Sequence, residues 1–361
     1  MAQNETRACR RCGRPVPRDE GSELCEGCRP STVSLRGGGE PTRPEGVPER
    51  IGGHEILSVL GEGGMGTVYL ARDPVLPREV ALKVLRPEVV SEELSRRLAD
   101  EAAVTGRLSH PGIVPVHQFG NDPTWGPWYT MKLVQGRPLS DILQGLRDRN
   151  PRDEEDYPTL NLLRVFSRVC TAVAFAHFNN VVHRDLKPGN IMIGEFGETL
   201  VLDWGLARCL DAGPEAPRGA VPASTDSAFT RDGIVIGTPG YLSPEQAAGM
   251  GSLVRLTSDV YSLGAILYEM LTLQPPVDTG DPDEAIRATL QGRIVPVEKR
   301  GPGRSAPRAL CQIAAAALDA DPQRRYPSAR EMSRAIDDFL AGRVPWRDPE
   351  VAGNEPWEVA S

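Results

Sequence analysis

A run of glycines between two β-prone segments restricts the fold of this chain more than any other feature. Residues 60–68 read LGEGGMGTV and contain the spacing GxGxxGxV. Glycines let backbone amides approach a phosphate group, because no side chain intervenes. In a dinucleotide-binding loop such a run leads into a helix, but here the β-prone run 67–70 follows it. The pattern therefore favours a β-hairpin that covers phosphates, with a glycine-rich surface turn as the alternative.

A lysine inside the next apolar run and a glutamate on the following helix form a predicted ion pair. Lys83 ends the run VALK at 80–83, where an ammonium group is unfavourable unless it meets an anion. Residues 91–108 have helical periodicity, and one carboxylate interrupts their inward stripe of Leu94, Leu98, Glu101, Thr105 and Leu108. Glu101 is therefore the predicted partner of Lys83. An ordinary salt bridge between two elements is the alternative.

The rest of the chain changes from β-rich to helical periodicity. The predicted elements are strands at 55–60, 66–71 and 79–85, then helices at 160–179, 257–273 and 328–340. Ser328 and Glu331 have the spacing of a capping box at the start of the last helix.

Three short motifs in the helical part make the pattern specific. Residues 183–190 read HRDLKPGN, residues 203–205 read DWG, and residues 243–245 read SPE. With the glycine run, Lys83 and Glu101 in the same order, they resemble the protein kinase signature set, which has HRDLxxxN, DFG and APE at these places. The resemblance is greatest to bacterial serine/threonine kinases.

The resemblance covers residues 51–341 and implies an architecture. The implied fold is the α+β, two-lobed protein kinase fold, with a β-rich N-lobe at 51–134 and a mainly helical C-lobe at 135–341. Residues 30–50 combine proline, glycine and charge and are predicted to be a flexible linker, and residues 342–361 a tail.

The resemblance also implies roles for the charged residues of these motifs. Lys83 would hold the α- and β-phosphates of ATP, oriented by Glu101. Asp185 would orient the hydroxyl group of the substrate, and Lys187 would lie near the γ-phosphate. A loose phosphoryl-transfer transition state needs such positioned charge more than covalent help.

ATP and Mg²⁺ are the implied cofactors. Asn190 and Asp203 would coordinate the metal ions, since carboxylate and amide oxygens suit Mg²⁺. Residues 131–136 resemble the hinge between the lobes, with Met131 as gatekeeper and the Val134 backbone bonding adenine. The implied nucleotide-binding residues are Leu60, Gly61, Glu62, Gly63, Gly64, Met65, Gly66, Thr67, Val68, Lys83, Met131 and Val134.

Further residues resemble structural supports of the kinase fold. Asp259 resembles the buried aspartate that braces the catalytic loop, and Arg325 the ion-pair partner of Glu245. Two residues depart from the family pattern. Trp204 replaces phenylalanine in DFG, and Lys132 stands in the hinge where an acidic residue is common.

The N-terminal segment 1–29 contains two cysteine pairs, CxxC, that are separated by twelve residues. Two thiolate pairs at this spacing suit a structural, tetrahedral Zn²⁺ site, formed by Cys9, Cys12, Cys25 and Cys28. Disulfides or a redox pair are the alternatives. The segment resembles small zinc ribbons, which bind protein, nucleic acid or nothing beyond their own chain. A docking or regulatory module is the favoured role.

Composition limits the partners. The net charge of −8 argues against a general nucleic-acid-binding role, although the first 18 residues are locally basic. A run of 18 apolar residues is absent, so neither membrane insertion nor secretion is expected, and a cytoplasmic location is predicted.

The sequence thus predicts a serine/threonine protein kinase that acts on protein hydroxyl groups. A pseudokinase scaffold that binds ATP and partners without phosphoryl transfer is the alternative. Arg184 precedes the catalytic aspartate and is predicted to pair with a phosphorylated activation segment. Thr230 is the predicted autophosphorylation site, and hydroxyls without a role are the alternative. Thr238, by resemblance, positions the substrate.

Overall fold

The computed structural model of the chain describes residues 6–8, 15–17, 47–62, 66–86, 90–210, 237–301 and 306–343. Of the predicted features, the four module cysteines, Gly63, Gly64, Met65 and Thr230 lie outside these ranges. The division of the chain at residues 29, 50 and 341 stays a prediction.

A six-stranded antiparallel sheet forms the N-lobe, in the spatial order β3-β4-β5-β6-β8-β7. A separate two-stranded pair, β1-β2, precedes it in the chain. The strands are β1 (Thr6–Ala8), β2 (Pro15–Pro17), β3 (Arg50–Ile51), β4 (His54–Glu62), β5 (Gly66–Arg72), β6 (Glu79–Leu85), β7 (Val116–Asp122) and β8 (Gly126–Lys132). The predicted hairpin around the glycine run is confirmed, because β4 pairs antiparallel with β5.

Helix α1 (Glu92–Arg107) packs against the sheet and begins as its sequence predicts. Ser91 caps its N-terminus by accepting a hydrogen bond from the backbone N–H of Leu94. The predicted stripe is buried at Leu98, Glu101, Thr105 and Leu108, while Leu94 is half-buried. The helix therefore directs one carboxylate into the space between itself and β6.

The C-lobe is mainly helical, with short strands near its boundary with the N-lobe. Its strands are β9 (Gly136–Pro138), β10 (Val181–Val182), β11 (Ile191–Gly194), β12 (Thr199–Val201) and β13 (Arg208–Cys209). Its helices are α2 (Leu139–Arg147), α3 (Pro151–Asp156), α4 (Thr159–Phe178), α5 (Pro244–Ala247), α6 (Leu256–Thr272), α7 (Pro282–Leu290), α8 (Arg308–Ala317) and α9 (Ala329–Leu340).

The core of the C-lobe lies around α4, α6, α8 and α9. Every residue of α6 from Ser258 to Thr272 is buried, so this helix is surrounded by protein on all sides. Among the described residues, α4 is the one helix that is long and apolar enough to cross a membrane. Half of its apolar stretch is buried inside the protein, and core helices of globular proteins have the same length and composition.

Candidate active site

The predicted ion pair between the sheet and α1 is present. Lys83 Nζ lies 2.7 Å from Glu101 Oε1 and 3.2 Å from Asp203 Oδ1. Tyr129 on β8 is the backbone neighbour of Lys83 on β6, and its hydroxyl donates to Glu101 Oε1 at 2.7 Å. Side chains from β6, α1, β8 and the segment after β12 therefore meet around the ammonium group of Lys83.

Lys83 and Asp203 hold each other in their ionised forms. Burial alone would lower the pKa of Lys83, but the negative charges of Glu101 and Asp203 outweigh burial and raise it well above its usual range. Burial would raise the pKa of Asp203, and the positive charge of Lys83 lowers it instead. Lys83 thus stays protonated and Asp203 stays a carboxylate at neutral pH.

A second cluster surrounds Asp185. The Thr238 hydroxyl donates to Asp185 Oδ1 at 2.7 Å, and Lys187 Nζ lies 2.9 Å from Asp185 Oδ2. Lys187 also donates to the Thr238 hydroxyl at 2.7 Å. Asn190 donates from its amide nitrogen to the backbone carbonyl of Asp185 at 2.8 Å. That bond turns the amide nitrogen inward, so the side-chain oxygen of Asn190 is the atom left for a cation.

The loop that carries Asp185 is fixed from α6. Asp259 accepts hydrogen bonds from the backbone N–H groups of His183 at 2.8 Å and Arg184 at 2.9 Å. His177 Nε2 lies 2.9 Å from the same carboxylate. Arg184 has φ of 71°, a left-handed conformation that costs free energy for a non-glycine residue. These bonds supply the restraint that keeps the loop in that conformation, as expected for Asp259.

Trp204 replaces phenylalanine without displacing the neighbouring aspartate. Its side chain is buried, its ring centroid lies 4.5 Å from that of His183, and its Nε1–H donates to the Val201 carbonyl at 3.4 Å. The next residue, Gly205, lies close to Glu101, since a Cβ atom at Gly205 would be 3.1 Å from Glu101 Oε2. The indole is thus accommodated in the C-lobe core while Asp203 faces Lys83.

In the described part of the glycine hairpin, Gly66 packs closely against the backbone of β6. A Cβ atom at Gly66 would lie 2.4 Å from the Val84 carbonyl oxygen, so a side chain there would displace β6 from β5. A Cβ atom at Gly61 would meet nothing within 4 Å. Met131 pairs with Ala81 one residue before the end of β8, and Val134 follows in the connection to β9. The open space at Gly61, the ammonium group of Lys83 and the side-chain oxygens of Asp203 and Asn190 fit ATP with Mg²⁺.

Comparison with known proteins decides the family. The model of the family described as "Protein kinase domain" matches residues 54–335. The chain belongs to this family. It is 36% identical over 325 residues to serine/threonine-protein kinase PknD of Protochlamydia amoebophila, a match that covers 88% of this chain and 33% of that protein.

A second PknD, of Chlamydia felis, is 36% identical over 302 residues, which cover 81% of this chain and 32% of that protein. The chain thus spans about a third of the length of the curated relatives it matches.

A buried ion pair fixes α5 in this kinase domain. Arg325 donates to both oxygens of Glu245, at 2.8 and 2.9 Å, and its guanidinium lies 5.1 Å from the ring centroid of Tyr261. Ser258 donates to Glu245 Oε1 at 2.6 Å. The predicted partnership of Arg325 with Glu245 is confirmed. It ties the start of α6 and the loop before α9 to α5.

Arg184 lies in a basic environment. Its guanidinium is buried and close to Arg208, and both burial and that neighbouring charge lower the pKa of Arg184 to about 10, against the effect of Asp259. Among the described residues no ion pair to the guanidinium is found. An anion at this position would be favoured, which fits the predicted role.

Several residues of the site escaped the sequence analysis. Tyr129 bonds Glu101, His177 bonds Asp259, and Gln246 donates from Nε2 to the Arg184 carbonyl at 2.8 Å. Only Gln246 has a usable signal, because Ser243 and Gln246 have the spacing of a capping box. Tyr129 lies in an apolar strand and His177 on an apolar helix, where neither residue has a distinctive pattern.

Proposed function

We propose that this chain is a serine/threonine protein kinase, which transfers the γ-phosphate of ATP to hydroxyl groups of proteins. The contacts around Asp185 carry the proposal. The hydroxyl of Thr238, in a segment that would face the substrate, donates to the Asp185 carboxylate at 2.7 Å. A substrate hydroxyl would donate to this carboxylate in the same way. The names of the relatives describe the same function.

The residues divide the work as follows. Lys83, held by Glu101, would bind the α- and β-phosphates, and Asp185 would orient the incoming hydroxyl and accept its proton. Lys187 would neutralise charge near the transferred group. Bound Mg²⁺ supplies charge neutralisation on the β- and γ-phosphates. Asp203 and the Asn190 side-chain oxygen are the groups that would hold it.

A pseudokinase scaffold is the competing function. It would retain the fold but lack some member of the catalytic set. Here Lys83, Asp185, Asn190 and Asp203 are all present, and Lys83 already contacts both Glu101 and Asp203. These contacts are those of a kinase domain with its catalytic groups assembled, and they favour activity over a scaffold role.

A radiolabelled ATP assay tests the proposal. The full chain is incubated with Mg²⁺ and labelled ATP, once with a generic basic protein and once alone, followed by phosphoamino acid analysis. We expect label on serine or threonine in the added protein or in the chain itself. Binding of ATP with no transfer under either condition would instead support the scaffold.

We also propose that residues 1–29 form a structural zinc module, with Cys9, Cys12, Cys25 and Cys28 as ligands. The backbone pairing of β1 with β2 supports the proposal, since residues 9–14, which include the first cysteine pair, connect these strands. A docking role for the module remains part of this proposal, with nucleic acid as a less favoured partner.

Metal analysis of protein purified without chelator is expected to find one zinc ion per chain. Changing Cys9 and Cys12 together to serine should abolish zinc binding, because half of the thiolate ligands are lost. The thermal unfolding of the kinase domain should stay unchanged. Cys209→Ser, outside the module, is the control and should retain the metal. Absence of zinc in the unaltered chain would refute the site.

Autophosphorylation at Thr230 is expected to activate the enzyme. A phosphate there could pair with the buried Arg184 and with Arg208, which lack an anionic partner among the described residues. Phosphosite mapping by mass spectrometry and a Thr230→Ala variant check the position. A variant without the hydroxyls of Ser224, Thr225, Ser227 and Thr230 that phosphorylates substrate at the unaltered rate would contradict the idea.

We further propose that the protein acts in the cytoplasm on protein substrates. The described cysteines Cys170, Cys209 and Cys311 are free thiols, which is consistent with a reducing compartment. Fractionation of cells that express the tagged full-length protein tests the location.

A further inference from the structure

Segment 237–242, which carries Thr238, is joined to α6 and α2 by a cluster of three side chains, those of Tyr241, Glu269 and Arg147. The Tyr241 hydroxyl donates to Glu269 Oε2 at 2.6 Å, and Arg147 Nη2, at the end of α2, donates to Glu269 Oε1 at 3.2 Å. The side chain of Glu269 is only 7% exposed. A carboxylate so far removed from water needs a donor or a cation, and here it has both.

The guanidinium of Arg147 is itself held in place. Its Nε donates to the Leu273 carbonyl at 2.7 Å, and its Nη1 donates to Gln144 Oε1 at 2.5 Å. Leu273 ends α6 with φ of 58°, so its carbonyl turns away from the helix. The planar fork of an arginine can serve these acceptors together with Glu269, which a single ammonium group cannot do.

This cluster is linked to the catalytic aspartate through one tight turn. The backbone N–H of Tyr241 donates to the Thr238 carbonyl at 3.1 Å, and Ser262 on α6 donates to the Tyr241 carbonyl at 2.9 Å. The Thr238 hydroxyl then donates to Asp185 Oδ1. A shift of Tyr241 would therefore move the hydroxyl that aligns Asp185.

We propose that Arg147 is a positioning residue for phosphoryl transfer, which acts through Glu269 and Tyr241 to keep Thr238 aligned with Asp185. The proposal rests on the kinase function proposed above. Arg147 is at the far end of this chain of contacts and touches none of the groups assigned to nucleotide or metal. It stabilises the buried carboxylate of Glu269, which accepts a hydrogen bond from Tyr241 in the turn.

The charged groups around Glu269 show why its carboxylate needs the guanidinium of Arg147. Burial raises the pKa of Glu269, and the negative charge of Asp278, on the loop after α6, adds to that effect. Hydrogen bonds from Tyr241 and Arg147 act in the opposite direction. Without Arg147, the carboxylate would face a negative neighbour with one donor left, so the pKa of Glu269 would rise further.

The first test replaces Arg147 with methionine, which keeps the aliphatic stem. We expect kcat/KM for a protein substrate to fall about tenfold to a hundredfold, because small misalignments at a reacting centre have effects of that size. The dissociation constant for ATP should change by less than about twofold, since the nucleotide residues lie elsewhere. Arg152→Met, which removes an exposed arginine on α3, is the matched control and should leave both quantities unchanged.

The second test separates positioning from general stability. In Arg147→Met the defect should be small at low pH, where Glu269 is protonated and neutral, and should grow as the pH rises through its raised pKa. Adding Glu269→Gln removes the buried charge but keeps an acceptor for Tyr241. The double variant should regain most of the activity and lose the extra pH dependence.

An Arg147→Met variant with unaltered kcat/KM, or a double variant with no recovery and a parallel pH profile, would overturn the proposal. Hydrogen exchange gives a readout that does not depend on activity: amides of segment 237–242 should exchange faster in Arg147→Met and return towards the unaltered rate in the double variant. Unchanged exchange would count against Arg147. Absence of phosphoryl transfer in the unaltered chain would instead refute the kinase function.

Discussion

Replacing Asp185 with asparagine is expected to lower the rate of phosphoryl transfer by about a thousandfold, the scale of a positioned general base. The amide oxygen can still accept the hydrogen bond from Thr238, so the loop should keep its conformation. It cannot accept a proton or balance the charge of Lys187. The change therefore removes the chemistry and leaves the fold, and labelled ATP with saturating protein substrate measures the loss.

ATP binding provides the internal check on this variant. Lys83, Glu101 and Asp203 are untouched, so the dissociation constant for ATP with Mg²⁺ should stay within about threefold of the unaltered value. Asp148→Asn, at the exposed end of α2, is the matched control and should be fully active. Undiminished turnover in Asp185→Asn would remove Asp185 from the mechanism.

Replacing Arg325 with methionine is expected to lower the free energy of unfolding by about 3–5 kcal/mol. The Arg325 side chain is fully buried and Glu245 is 7% exposed, so the variant leaves a carboxylate in the protein interior with only Ser258 as a side-chain donor. The carbonyls of Asp319, Ala320 and Thr257, which now accept from the guanidinium, would also lose their donor. Urea unfolding followed by circular dichroism measures the change.

The adjacent arginine supplies the control for this experiment. Arg324 pairs with Asp319 at 3.3 Å, but its side chain is 75% exposed, so Arg324→Met should change stability by less than about 1 kcal/mol. Combining Arg325→Met with Glu245→Gln should recover part of the loss, because no charge remains buried. Equal unfolding free energies for the Arg324 and Arg325 variants would show that the buried pair contributes little.

The ion pair of Lys83 with Glu101 shows how far sequence reasoning reaches. A charge in an apolar strand and a carboxylate in a helical stripe each violate a local pattern, and burying either one alone would be unfavourable. Two such violations of opposite sign predict one contact. The sequence analysis did not identify Tyr129, which completes the contact, because a tyrosine in an apolar strand violates no pattern.

The glycine hairpin and the main helices were likewise predictable, since backbone freedom and hydrophobic periodicity are local properties. The helix predicted at 160–179 is observed at Thr159–Phe178, and that predicted at 257–273 at Leu256–Thr272. The role of α6 was only partly predictable. Its periodicity indicates one buried face, whereas packing on all sides buries every residue from Ser258 onwards.

The sequence by itself determined the order of the elements, the ionisable residues of the catalytic set and the spacing of the cysteine pairs, because these depend on neighbours along the chain. Only the tertiary structure decided that Trp204 fits the C-lobe core and that Arg147 and Tyr241 share Glu269. Arg147 and Glu269 are 122 positions apart. No local pattern relates them, and their contact exists only because α2, α6 and segment 237–242 pack together and exclude water from the carboxylate between them.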